Sequence, residues 1–318
     1  MYIFIVNPVA GNGRAKRIFH QIKQSTLFQQ IESSIYFTQY DGHAEEMTKE
    51  LVLGHHLIEA FIVIGGDGTL HEVVNGLSDM RVPIAFIRGG SGNDFARGIH
   101  QNEKPLKLFE SIIIQGEKSP YWVGKYTVDK RVKRCFVNSM GFGFDAEVTK
   151  YANESKLKRA LNFFHLGKLS YVFALIKTLF VFQFFNVEVI VDGQKKVFKK
   201  CLMVTIANHP YYGGGMKIIP HAKLNQQTVS VLVIHSISKL KILALFLTVF
   251  WGGHMRFPEV ETMRASNVVI RVEKERLYQV DGETNVFQTC TISKEHRAVS
   301  ICGPKKENFQ QKTEVNHA

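Results

Sequence analysis

The stretch Val63–Gly76, VIGGDGTLHEVVNG, sets three glycines around Asp67, between an apolar run and a helix-like run. A strand that ends in glycines and leads into a helix is the recurring unit of a parallel α/β layer. Glycine allows positive φ and close approach, so backbone N–H groups can converge on anionic oxygens. A carboxylate amid such amides would repel a bare phosphate. It makes sense if a divalent cation lies between, because the ion inverts the local charge logic. Magnesium is commonly held by one or two carboxylates together with phosphate oxygens and water. The bland reading of Asp67 is a cap for the helix expected from Leu70 to Leu77, and the two roles are compatible.

Working outward, two further apolar strands run into glycine turns. Tyr2–Val6 leads into Asn7-Pro8-Val9-Ala10-Gly11-Asn12-Gly13, and Pro83–Ile87 leads towards Gly89-Gly90-Ser91-Gly92-Asn93-Asp94. In a parallel sheet all three turns share the carboxyl edge, where ligands bind. One such turn is an ordinary loop; three together point to a polyphosphate site. No GxxxxGK[ST] is present, and the first turn lacks the third glycine of the dinucleotide fingerprint, which disfavours hydride transfer.

Strands and helices alternate over the first ~115 residues, with helices expected at Arg14 to Gln24 and Glu45 to Leu53. From Lys118 strand-like segments dominate, interrupted by helical insertions near 156–185 and 238–255. Two domains follow. Residues 1–119 form a parallel-sheet α/β nucleotide-binding domain, completed by 296–318, with Ala298–Ile301 as a returning strand. Residues 120–295 form an antiparallel, strand-rich second domain. The polar tail after Gly303 is expected to fray.

The 318 residues carry 40 Lys and Arg against 28 Asp and Glu, which favours an anionic partner. No helix-turn-helix, zinc finger or aromatic RNP pattern accompanies the charge, so nucleic acid is not expected. Four cysteines without CxxC spacing argue against zinc or a disulfide framework. The chain opens directly on strand-like residues, so a cytoplasmic location is expected. The apolar runs Leu169–Phe185 and Leu240–Trp251 fall short of the ~20 clean apolar residues of a membrane span. They read as buried helices, or as helices with one face available to lipid.

Taken together, GGDGTLHEVVNG, Asn7-Pro8-x-Ala10-Gly11 and Ser91-x-Asn93-Asp94-Phe95-Ala96-Arg97 resemble the soluble bacterial diacylglycerol kinase-like lipid kinases, whose catalytic domain is shared with sphingosine and ceramide kinases. Asn138–Ala146, Leu166–Tyr171, Ala207-Asn208 through Gly213–Met216, Pro220-His221-Ala222 and Val280–Glu283 extend the similarity over nearly the whole chain. The resemblance implies that residues 120–295 are a β-sandwich-like lipid-substrate domain, with ATP and magnesium in the cleft between it and the α/β domain, and γ-phosphoryl transfer to a lipid hydroxyl. Diacylglycerol giving phosphatidic acid, in phospholipid biosynthesis, is the first expectation. The protein would then work peripherally on an anionic membrane surface.

Residue by residue, the resemblance places Asn7, Pro8, Val9, Ala10, Gly11, Gly66, Asp67, Gly68, Thr69, Leu70, His71 and Glu72 around the phosphates. Thr38 and Ser91, which stands where the family usually has threonine, would help hold the nucleotide, and Asp67 would act near the metal. Asp281 and Glu283 flank one glycine, so in an extended segment both face one side. Close carboxylates tend to raise one pKa, which suits a general base. Glu283 is expected to accept the lipid proton, supported by Asp281. The bland reading is a hairpin turn, since Asp-Gly is a common turn pair.

The chain departs from the family pattern in places. Trp122 stands where an aspartate is linked through water to magnesium, and the loss of such a group typically costs ~10–100-fold. Gln226 and Gln227 replace the aspartate and glycine of a structural magnesium loop in the second domain, so that ion is expected to be absent or weak. His71 replaces an asparagine and Arg88 a proline. The alternative is therefore a nucleotide- or lipid-binding homologue with little catalysis. A kinase for another hydroxyl, such as a related lipid or a NAD-like molecule, is a third reading; the GGDGT turn recurs in NAD kinases and phosphofructokinases, but the second-domain motifs disfavour them.

Overall fold

The computed structural model describes residues 1–54, 57–77, 82–154, 175–224 and 226–303. The strand β3, Ala60–Gly65, is buried along its whole length. It pairs in parallel with β1 (Tyr2–Val6) on one side and β4 (Ile84–Arg88) on the other. Alternate residues of these strands enter two separate cores. Phe4, Val6, Ile62, Ile64 and Ile87 pack on one face, with Phe19, Ile22 and Phe109 from the helices there. Ile3, Ile5, Phe61, Val63 and Phe86 pack on the other, with Leu51, Leu70 and Phe95. A parallel sheet covered on both faces accounts for the uninterrupted apolar runs.

This first sheet is completed by β2 (Ser33–Phe37) at one edge. At the other, β17 (Val299–Gly303) pairs in parallel with β4 and antiparallel with β5 (Glu117–Tyr121). The expected boundary at 119/120 therefore falls inside a strand of the first sheet. The apolar helix α6 (Pro105–Ile114) precedes β5 and covers one face.

The second domain is a nine-stranded antiparallel sheet built on two long strands, β10 (Gln194–Ala207) and β15 (Asn267–Val280). Between them β8 (Ser139–Gly143) and β9 (Phe185–Val191) lie end to end, each pairing with one half of both long strands. Tyr278–Val280 is the last part of β15, and it pairs with β16 (Glu283–Lys294). The α/β and antiparallel β architecture agrees with the sequence reading.

The two domains share packing. Cys135 and Val137, from the segment around β7 (Val132–Phe136), lie in the same apolar cluster as Leu70 and Phe95 of the first domain. Residues 156–174 of the helical insertion expected near 156–185, the Leu166–Tyr171 motif and the tail after Gly303 lie outside the described residues. No described helix is long and apolar enough to cross a membrane. All four cysteines are buried and unpaired.

Candidate active site at the domain joint

The three glycine turns meet. A Cβ on Gly11 would come 2.2 Å from the Gly89 carbonyl oxygen, and one on Gly90 would come 2.4 Å from Gly66 Cα. Those two glycines are required by loop-against-loop packing. Gly68 differs, because a Cβ there would meet nothing within 4 Å. Open space therefore lies beside the first turn of α4 (Asp67–Gly76), a helix whose start no side chain caps. First-turn amides have no intrahelical partner, so they are free to meet an anion.

The first turn is left-handed over Gly11, Asn12 and Gly13, and regular helix begins at Arg14, as the sequence implied. Asn7 Nδ2 donates to Thr69 Oγ1 at 3.0 Å, which ties the first turn to the second. Val9 is exposed, and Pro8, Ala10 and Gly11 are partly exposed along the same rim. Thr38, at the end of β2, is nearly buried, whereas Ser91 is open to solvent. Leu70 is fully buried, so its side chain serves the core.

Asp67 does not cap the helix it begins. Its carboxylate accepts the N–H groups of Asp94 at 3.1 Å and Phe95 at 2.9 Å, capping α5 (Asp94–Gly98). Burial pushes this carboxyl up to about 6, with the neighbouring Asp94 charge adding to it, although the two amides pull the other way. Asp94 in turn accepts the Gly214 N–H at 2.7 Å, reaching into the second domain, and pairs with Arg97 at 2.9 Å. Burial raises its carboxyl also. Glu72 caps another helix: its carboxylate accepts the Ala44 N–H at 3.0 Å, at the start of α3 (His43–Gly54).

The reading of Asp281 and Glu283 as same-side residues of an extended segment is corrected here. Asp281 and Gly282 have φ of 48° and 100° and form the two-residue turn between β15 and β16. Asp-Gly suits a type I′ turn, which needs positive φ at both positions. The Asp281 side chain is fully buried, while Glu283 is exposed at the start of β16. Asp281 accepts four hydrogen bonds: from Val137 N–H at 2.6 Å, Asn138 N–H at 2.8 Å, Ser139 N–H at 3.0 Å and His71 Nδ1 at 2.8 Å. Four donors on one carboxylate make it a clamp between α4 and the second-domain backbone. Burial alone would lower the His71 pKa, but the hydrogen bond and charge of Asp281 outweigh it and raise the value.

Asn75, one turn along α4, extends the clamp by exchanging bonds with the Cys135 backbone: Nδ2 donates to its carbonyl at 3.0 Å and Oδ1 accepts its N–H at 2.9 Å. Behind these residues Asn208 Nδ2 donates to the Val137 carbonyl at 2.8 Å. Buried Lys294 donates to Asn208 Oδ1 at 2.6 Å and to the Trp122 carbonyl at 2.9 Å. Desolvation drives its amine down to about 7. The polar group held beside the Trp122 backbone is thus an amine. His209 is fully buried, accepts the Tyr211 N–H on Nδ1 and contacts Asn138 Oδ1 through Nε2 at 2.9 Å. Burial lowers it to about 4.

Asn75, Asn208 and Lys294 were not singled out as site residues, and no local signal marks Lys294. Asp94 was legible as part of the third turn. Gln226 and Gln227 are exposed, and Asn225 lies outside the described residues.

With this geometry in place, comparison with known proteins decides the family. Residues 1–126 match the diacylglycerol kinase catalytic domain, and residues 138–302 match the YegS C-terminal NAD kinase beta sandwich-like domain. The chain belongs to the diacylglycerol kinase-like lipid kinase family. It is 30% identical to a Bacillus subtilis (strain 168) protein named "Putative lipid kinase YtlR", over 89% of this chain and 93% of that one. It is 27% identical to the diacylglycerol kinase of the same organism, over 96% and 97% respectively. Among solved structures, a "putative diacylglycerol kinase" from Bacillus anthracis str. Sterne superposes with a TM-score of 0.75 at 24% identity, covering 95% of this chain and 94% of that one, and shows a shared fold.

Proposed function

We propose that this lipid kinase transfers the γ-phosphoryl group of ATP to the hydroxyl of a membrane lipid, with diacylglycerol as the first acceptor to test. The observation that carries the reading is the Asp281–His71 contact. It seats the turn before Glu283 on the helix that opens from the Gly65–Thr69 turn. Glu283 lies near enough that its charge acts on both His71 and Glu72. An exposed carboxylate at that point would take the proton of an acceptor hydroxyl. Asp281 holds the turn, and its own oxygens are occupied by amides and imidazole.

The open side of Gly68 and the uncapped start of α4 would receive phosphate oxygens, with Asn7, Thr38 and Ser91 at the rim. Arg14, Arg88 and Arg97, which line a cavity of about 360 Å³ beside the third turn, add positive charge. The residues fit a magnesium ion in one respect: the charges of Asp67 and Asp94 oppose each other, and a cation would relieve this repulsion. No group of three or more His, Cys, Asp or Glu among the described residues could cage a metal. An ion here would therefore share Asp67 and Asp94 with phosphate and water. When bound, it supplies neutralisation of phosphoryl charge.

The reading of a binding homologue with little catalysis is not favoured by relatives that are named as kinases. The deciding test incubates the purified protein with labelled ATP, magnesium and diacylglycerol in mixed micelles, beside Glu283→Ala. Transfer well above the variant's level is expected. Measurable ATP binding with no transfer to any lipid above that level would overturn the proposal.

A further inference from the structure

If the acceptor is a bilayer lipid, as proposed above, the protein needs a face that meets the bilayer. The described helical residues 175–181 (α8) and the helix α9, Lys239–Thr248, are neighbours, because Lys239 Nζ donates to the Phe180 carbonyl at 2.8 Å. α9 buries Ile242 and Leu245 in the second-domain core. Its other side leaves Leu240 81% and Leu247 69% exposed, and the chain continues into exposed Phe250 and Trp251. α8 adds Phe180, 72% exposed, and Val181. Scattered single apolar residues on a surface are ordinary, but this many in one neighbourhood mark an interaction face.

The charge pattern says what the face meets. Residues 175–184 and 238–257 carry Lys177, Lys239, Lys241 and Arg256 and not one Asp or Glu. The nearest acid, Glu259, is paired with Lys241 at 2.5 Å. Lys177 donates to the Tyr151 hydroxyl and stays exposed. Protein–protein interface cores are depleted in lysine, yet here Lys239-Leu240-Lys241 interleaves the two residue types. Apolar side chains mixed with lysine, a tryptophan at one end and no acid are the chemistry of an interfacial helix on anionic lipid. At ten residues α9 is about 15 Å long, too short to span a bilayer.

We propose that the α8–α9 face docks on an anionic phospholipid bilayer. Leu240, Leu247, Phe250, Trp251 and Phe180 enter the boundary of headgroups and acyl chains, and Lys239 and Lys241 lie against lipid phosphates.

The test is flotation of the whole protein with phosphatidylglycerol–phosphatidylcholine vesicles and with pure phosphatidylcholine vesicles, alongside Trp251 quenching by brominated lipid. Wild type is expected to bind the anionic vesicles and to be quenched. Leu240→Gln with Leu247→Gln should weaken partitioning at least tenfold, as expected when leucines lose burial. Lys239→Ala with Lys241→Ala should weaken it about tenfold and only on anionic vesicles. Both pairs should leave phosphorylation of a short-chain, micelle-free diacylglycerol unchanged. Vesicle binding insensitive to both pairs would overturn the docking proposal. So would a dimer in sedimentation that these substitutions dissolve, since the face would then join two copies. Vesicle binding through this face with no transfer to any lipid would overturn the kinase reading alone.

Discussion

Replacing Asp281 with asparagine tests whether this residue is a clamp rather than part of a catalytic carboxylate pair. Asparagine tolerates the left-handed backbone that Asp281 adopts at φ 48°, so the turn itself is preserved. What changes is the acceptor set. The carboxylate takes three backbone N–H groups and His71 Nδ1, all within 3.0 Å. An amide presents one oxygen to the pair Asn138 and Ser139, and its NH₂ then faces the Val137 N–H, donor against donor. His71 can change tautomer to accept from that NH₂. Its other nitrogen then turns an N–H towards Asn75 Nδ2, which already donates to two carbonyls. Removing one partner of a buried charged contact typically costs about 3–5 kcal/mol, of which an orphaned buried N–H alone accounts for about 1–3 kcal/mol. Urea unfolding of Asp281→Asn should therefore show a loss of about that size.

The loss should depend on pH. His71 is raised in the folded protein, so its contribution is complete below its unfolded value near 6.5 and disappears as pH rises through the higher folded value. Without the Asp281 charge, burial becomes the dominant influence on His71, and imidazole NMR shifts should show its pKa falling. His71→Asn should be milder than Asp281→Asn, since an asparagine NH₂ can still donate to the carboxylate. An Asp281→Asn protein within about 1 kcal/mol of wild type, with His71 titrating as before, would refute the clamp.

Glu283→Ala should leave stability within about 0.5 kcal/mol, as exposed substitutions do, while lowering phosphoryl transfer by about 10²–10⁴-fold; urea midpoints and initial rates separate the two. Gly90→Ala should weaken ATP binding and lower the melting temperature, because the new Cβ meets the Gly66 backbone 2.4 Å away. Asp145, buried beneath Tyr212 with its carboxyl raised to about 6, binds protons more readily folded than unfolded. Stability should therefore fall as pH rises from about 4 to about 6, and Asp145→Asn should flatten that slope by about 3 kcal/mol in total, read from unfolding at several pH values. Lys294 has the opposite sign: with its amine at about 7, stability should rise between about pH 7 and 10, a rise that Lys294→Met abolishes in the same assay.

What was readable in the sequence follows from the range over which each feature is decided. β1, β3 and β4 declare themselves because a strand covered on both faces must be apolar throughout, and their glycine turns follow at once in the chain. The left-handed run Gly11–Gly13 and the helix start at Arg14 are equally local. Asp67 was visible as a special residue, but its partners Asp94 and Phe95 lie 27 and 28 residues away and become neighbours only when the third turn packs on the second. Lys294 had no visible signal, because it is held by a backbone carbonyl 172 residues distant and an amide 86 residues distant.

The Asp281–Glu283 pair shows how a correct observation can carry the wrong geometry. Period-two alternation applies only while φ stays in the extended region, and Asp-Gly is the dipeptide best suited to leave it. Once the chain turns, one carboxylate goes inward to four donors and the other stays at the surface. That division suits catalysis better than a matched pair would. The proposed proton acceptor must reach substrate, and Glu283 stays exposed while Asp281, two residues earlier, fixes the turn against the helix that follows the glycines. The histidine at position 71 belongs to the same device, because it supplies a donor to Asp281 from the first domain. The contact joining the domains and the placement of the proposed base are therefore one structural feature, and a substitution that loosens the first should also lower the rate attributed to the second.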